Sequence, residues 1–134
     1  VLKKPKDQKK PNRKKLVQKA DTAFATYIRS KSPVCYFSGY IHQENRDTEH
    51  CFHWVSRRYY ATRWDELNAT HSCAGCNLEM NYHPHKFIEV LIRREGVNRY
   101  LDLCERSKKQ EKLYADDLVR IADVFQEKMA KNGI

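Results

Sequence analysis

The sequence predicts an α+β fold, a small centre of short strands and loops held between helices. Three observations point to it. Apolar residues recur at helical spacing near both ends of the chain. A middle stretch, residues 34–62, is instead rich in Tyr, Phe, Val, Trp, His and Cys, the composition of strands broken by loops. A C-x2-C knuckle, Cys73-Ala-Gly-Cys76, stands between the two kinds of segment. At 134 residues the chain fits one domain around one modest core.

Residues 1–15 read as a flexible basic arm, because eight cations, Pro5 and Pro11 leave nothing to bury. Leu16, Ala20, Ala23, Phe24, Tyr27 and Ile28 then predict a helix from about Lys15 to Ser30, which Pro33 stops from continuing. Gly39 and Asn45-Arg46-Asp47 punctuate the strand region, and residues 63–72 are expected to run irregularly into the knuckle. After Pro84, Phe87, Ile88, Leu91 and Ile92 form a helical stripe that Gly96 ends. Val97 to Cys104 predicts a short helix with Tyr100, Leu101 and Cys104 inward, and residues 105–113 a polar loop. Asp116 or Asp117 can start a last helix carrying Leu118, Ile121, Val124, Phe125 and Met129, closed by Gly133. Residues 16–134 are thus one domain, with a central region of about 34–95 and C-terminal helices over about 97–132.

Charge narrows the class of partner. Of the net +9, the first fifteen residues carry +7 and the remaining chain only +2. Lys9, Lys10, Arg13, Lys14 and Lys15 can neutralise phosphates and displace counterions, so a nucleic acid is the expected partner. No apolar run approaches the ~20 residues of a membrane span, and the charged N-terminus has no secretory apolar core. Five cysteines, an odd number without such a signal, argue for thiols or metal rather than a disulfide framework. The expected setting is cytoplasmic.

Within 28 residues the chain gathers His50, Cys51, His53, Arg57, Arg58, Asn68, Cys73, Cys76 and Asn77. Singly, each has an ordinary explanation: a hydrogen-bonded histidine, a solvated arginine pair, a turn asparagine. Together they combine metal ligands with phosphate-binding guanidinium groups. His53 precedes Asn68 by 15 residues and Asn77 follows it by 9. These separations match the base histidine, central asparagine and metal ligand of ββα-metal nucleases, the His-Asn-His or HNH type, so the expected centre is a small treble-clef-like one with a zinc knuckle, flanked by helices.

Three segments carry a closer resemblance: His53-Trp-Val-Ser-Arg-Arg58, Ala61-Thr-Arg-Trp-Asp-Glu-Leu-Asn68 and Cys73-Ala-Gly-Cys-Asn77. They are similar to the core of the NinG/Rap family of phage recombination nucleases. Ala20-Asp21 through Tyr27-Ile28-Arg29 and Phe87 to Gly96 extend the likeness over roughly residues 17–130. The resemblance implies an endonuclease that hydrolyses phosphodiesters in branched DNA, such as Holliday junctions or D-loops, in a host cytoplasm alongside phage or host recombination proteins. Paired cuts at a junction would call for a homodimer. The sequence departs from the family at three places. Cys35-Tyr-Phe-Ser38 lacks the second thiol of an expected C-x-x-C, His50 stands where the family has an aspartate, and Tyr82-His83 replaces a Gly-Asn pair.

On this reading His53 is the general base, Asn68 staples the loop of the strand pair, and Arg57, Arg58 and Arg63 grip phosphate. His50 and Asn77, with help from Asn81 or His83, would hold a catalytic Mg²⁺ or Mn²⁺. Cys35, Cys73 and Cys76 would hold a structural Zn²⁺ whose fourth ligand is His42, Cys51 or Ser38. Alternatively the zinc has been lost and the thiols pack as small apolar groups. Cys104, on an apolar stripe, is read as core. Two other functions remain open: a catalytically inactive, zinc-stapled DNA-binding module, and a protein-interaction scaffold built on the C-terminal helices.

Overall fold

The computed structural model describes residues 12–39 and 49–132. Among them the chain forms an α+β structure. Helix α1 spans Arg13–Ser30 and strand β1 Glu49–His53. A short helix, α2 (Tyr60–Arg63), and one turn of 3-10 helix (Glu66–Asn68) lead into β2 (Ala69–Cys73). Four helices follow: α3 (Ala74–Met80), α4 (Pro84–Glu95), α5 (Val97–Ser107) and α6 (Ala115–Lys131). None of the described helices is long and apolar enough to cross a membrane.

β1 and β2 form an antiparallel ribbon in which Glu49 faces Cys73 and His53 faces Ala69. Among the described residues of 34–62 there is one strand, and its partner lies in 69–73, where irregular chain was expected. β2 hides from pattern reading because Ala69, His71 and Ser72 are all buried, so no apolar–polar alternation marks it.

Two apolar clusters hold the ribbon. On one side Ala23, Phe24, Tyr27 and Ile28 of α1 meet Ala122 and Phe125 of α6, with Ala69 of the ribbon beneath. Phe24 meets Phe125 edge-on at 5.0 Å, and each such buried ring contributes about 2–3 kcal/mol. On the other side Phe52, Trp54 and Val55 pack with Phe87 and Leu91 of α4 and Leu103 of α5. Cys104 sits against this second cluster, as its apolar stripe suggested.

The helix boundaries follow local chemistry. Asn12 caps α1 by accepting the Lys14 amide N–H at 3.0 Å, so Arg13, Lys14 and Lys15 belong to the helix rather than to an arm. Gly96 ends α4 at φ +90°, a conformation that strains any side chain. α6 begins at Ala115, where the Asp117 carboxylate accepts the Tyr114 N–H at 2.8 Å. Two residues expected to face inward do not: Leu101 is 56% exposed and Val124 39%. On α5 the inward position falls to Leu103, two residues on and so on the opposite side of the helix.

Candidate active site and metal centre

His53 is the last residue of β1, and the chain between the strands, residues 54–68, loops back to it. Asn68 closes that loop. It is fully buried, its Oδ1 accepts the Val55 N–H at 2.7 Å, and its Nδ2 donates to the carbonyls of Val55 (3.0 Å) and Thr62 (2.9 Å). The Trp54 N–H adds a bond to the Asn68 carbonyl at 2.9 Å. From outside, α5 steadies the same loop: Arg99 donates to the Leu67 carbonyl and Arg106 pairs with Asp65.

The His53 ring packs 5.7 Å from Phe24 and makes one directed contact, from Nε2 to the Arg63 carbonyl at 2.9 Å. A carbonyl can only accept, so Nε2 carries the proton and the neutral ring keeps its lone pair on Nδ1. Burial pulls the ring down to a pKa of about 4, with the cations of Arg57 and Arg63 acting in the same direction, against the Arg63 carbonyl and Asp21. His53 is therefore a neutral acceptor throughout the physiological range.

His53 opens onto a cleft of about 720 Å³ that His50 of β1, Asn77 of α3, Arg57, and Arg29 of α1 also line. The fold thus brings together His50, His53, Asn77 and Arg57 in one place. Arg29 was not singled out from the sequence as a site residue. Cys51 also lines the cleft, and burial pushes its thiol up to about 12, with minor opposition from Arg29 and Arg57, so without a metal it stays protonated. No carboxylate lines the cleft among the described residues. A larger hollow, about 970 Å³, lies beside Cys35–Gly39, Arg94 and Arg99, away from His53.

The remaining expected residues fall elsewhere. His83 precedes α4 at the surface near His85, and Asn81 ends α3; neither lines the cleft. Arg58 is exposed and lies over the Tyr59 ring. Arg63, expected at phosphate, has its guanidinium in a two-pronged bond to Asp21 and a third bond to the Arg57 carbonyl. Lys9, Lys10 and His42 lie outside the described residues.

Comparison with protein-family models, curated proteins and solved structures gives no match.

At the far end of the ribbon, the sulfurs of Cys35, Cys73 and Cys76 lie within 4.8 Å of one another, a grouping that can hold a metal such as zinc. The two chain segments that supply them have the same local geometry. The Cys76 N–H points at Cys73 Sγ (3.4 Å), and the Ser38 N–H points at Cys35 Sγ (3.5 Å). Ser38 thereby occupies the place of a second knuckle cysteine, and its hydroxyl is 3.7 Å from Cys73 Sγ. Tetrahedral zinc with three sulfurs and one oxygen needs an O···S separation of about 3.5 Å, close to that from Ser38 to Cys73, so the Ser38 hydroxyl is the candidate oxygen among the described residues. Gly39, at φ +73°, lets the chain turn away immediately afterwards. Cys51 is not in the group; it packs on the α1 side of the ribbon.

Protonation also fits a cation. Burial opposes ionisation of Cys35, but hydrogen bonds from the Ser38 hydroxyl and amide, Cys73 and Phe37 outweigh it and draw the thiol down to about 7. Cys76 is pushed up to about 12, first by burial and then by its shared bonds and charge with Cys73 and Cys35. Three crowded sulfurs cannot all ionise unaided, and a bound dication removes that conflict.

Proposed function

We propose that this chain is a metal-dependent DNA endonuclease of the His-Asn-His type, with a ββα-metal centre stapled by zinc, acting on branched recombination intermediates. The observation that carries the reading is the convergence of His53, His50, Asn77 and Arg57 on one cleft, with Asn68 tying down the intervening loop. The branched substrate, the phage setting and a homodimer come from the likeness to the NinG/Rap family.

On this reading Nδ1 of His53 takes a proton from a water that attacks phosphorus in line. The low proton affinity of the ring keeps it free to act at neutral pH. Arg57 and Arg29, which both line the cleft, hold the phosphate, and Arg58 reaches the neighbouring backbone. A divalent ion held by His50 and Asn77 would supply charge neutralisation at the phosphate and leaving oxygen. Its donor set, one imidazole and one amide without a described carboxylate, suits Mn²⁺ better than Mg²⁺.

The same lack of a carboxylate favours a second reading, a catalytically silent DNA-binding module. One assay separates the two. Full-length protein is incubated with branched and linear duplexes in Mn²⁺, Mg²⁺ or EDTA, beside His53→Ala. Metal-dependent cutting that falls about 10²–10⁴-fold in His53→Ala, with binding retained, supports the nuclease. Binding without any cutting, or cutting by His53→Ala at the parental rate, overturns it.

A further inference from the structure

Asp21 lies on α1, outside the residues that line the cleft, yet it stands at the head of a chain of directed bonds that ends on His53. Its carboxylate takes Arg63 in a two-pronged grip, Nε to Oδ1 at 2.9 Å and NH2 to Oδ2 at 2.6 Å. The Trp64 indole N–H also donates to Oδ1, at 3.0 Å. Arg63 spends its remaining arm, NH1, on the Arg57 carbonyl at 2.9 Å. Its own carbonyl is the group that receives Nε2–H of His53. Arg63 is thus fixed at both ends, by a carboxylate at its guanidinium and by the histidine at its backbone.

We infer that Asp21 is a positioning residue for His53, holding α2 so that the Arg63 carbonyl keeps the proton on Nε2 and the lone pair on Nδ1. The inference rests on the nuclease reading for its consequence, but not for its geometry. Without the carboxylate, the Arg63 guanidinium, only 15% exposed, would lose its counter-ion. Arg57, whose guanidinium is 3.9 Å from Asp21, would lose the same negative charge. A buried cation without a partner moves toward water. Arg63 would then drag its backbone carbonyl away from the ring. A neutral histidine without a fixed acceptor populates both tautomers, and only one of them presents Nδ1 as a base.

A brace that served stability alone would leave the tautomer unchanged, so the tautomer is the deciding readout. Full-length protein labelled with ¹⁵N-histidine is observed by NMR without DNA, as the parent, Asp21→Asn and Arg63→Lys. Asn keeps the shape but turns an amide against the guanidinium; Lys keeps the charge but cannot grip with two prongs. The parent should show His53 as the Nε2–H tautomer alone. Both variants should show mixed tautomers and cut about 10–100-fold more slowly, with DNA affinity within about twofold, since Asp21 lies off the cleft. If either variant fails to fold, the other decides. A folded variant that keeps the single Nε2–H tautomer overturns the inference. A parent that never cuts DNA overturns the nuclease reading instead, and the ring spectrum still decides whether Asp21 positions His53.

Discussion

Acid should weaken this protein through His53, and the size of the effect can be worked out. In the unfolded chain the ring titrates near 6.5; in the fold, burial holds it near 4. As pH falls, the unfolded state therefore takes the proton first. The contribution is complete above 6.5 and is lost as pH drops toward 4, below which no further loss comes from this group. Between pH 7.5 and 5.5 the linkage amounts to about 1 kcal/mol, and by pH 5 to about 2 kcal/mol. Urea unfolding of the parent and of His53→Gln at both ends of that range isolates it, because every other titrating group cancels in the difference. Gln still offers an amide N–H to the Arg63 carbonyl but binds no proton. The parent should lose about 1 kcal/mol more than the variant on going to pH 5.5. Parallel losses would mean that the ring is hydrated in the fold, and would remove the ground for calling it a desolvated base.

Two further outcomes test the scaffold. Elemental analysis should find about one zinc per chain, and Ser38→Cys should hold it roughly tenfold or more tightly against a chelator, since thiolate outranks hydroxyl for this metal. Unchanged chelator resistance would place the fourth ligand elsewhere. Asn68→Ala should cost roughly 2–4 kcal/mol in denaturant unfolding, because it strands the Val55 N–H and two carbonyls in the interior; a loss below about 1 kcal/mol would show that water replaces the side chain.

The helices were largely legible in the sequence because their apolar faces repeat and their ends carry ordinary signals. Pro84 and Gly96 bracket α4 within a residue, and α1 and α6 begin within about two residues of expectation. The ribbon was half legible. β1 announces itself through aromatic and sulfur-bearing residues, whereas β2 buries a histidine and a serine that pattern reading assigns to the surface. Within the candidate site, spacing alone brought His53, Asn68 and Asn77 into view, since each stands on a rigid element a fixed distance along the chain. What spacing could not reveal is how side chains are occupied. Arg63 looks like a phosphate ligand until Asp21, 42 residues earlier, claims it. Ser38 was one of three candidate fourth ligands on sequence, and only the structure shows that its backbone repeats the knuckle of Cys73.

The pairing of α1 with α6 has a consequence for the timing of synthesis. Phe24, Tyr27 and Ile28 find their apolar partners in α6, roughly a hundred residues later, and the same helix α1 carries Asp21 to Arg63. While α6 is still within the ribosome, α1 has only part of its cover and the brace behind His53 has no fixed platform. Contacts so distant in sequence form late. Until α6 has emerged, the ring behind the cleft is therefore unsupported. If the protein cuts DNA as proposed, competence arrives with the last helix, and a product truncated before α6 would bind nucleic acid without harming it.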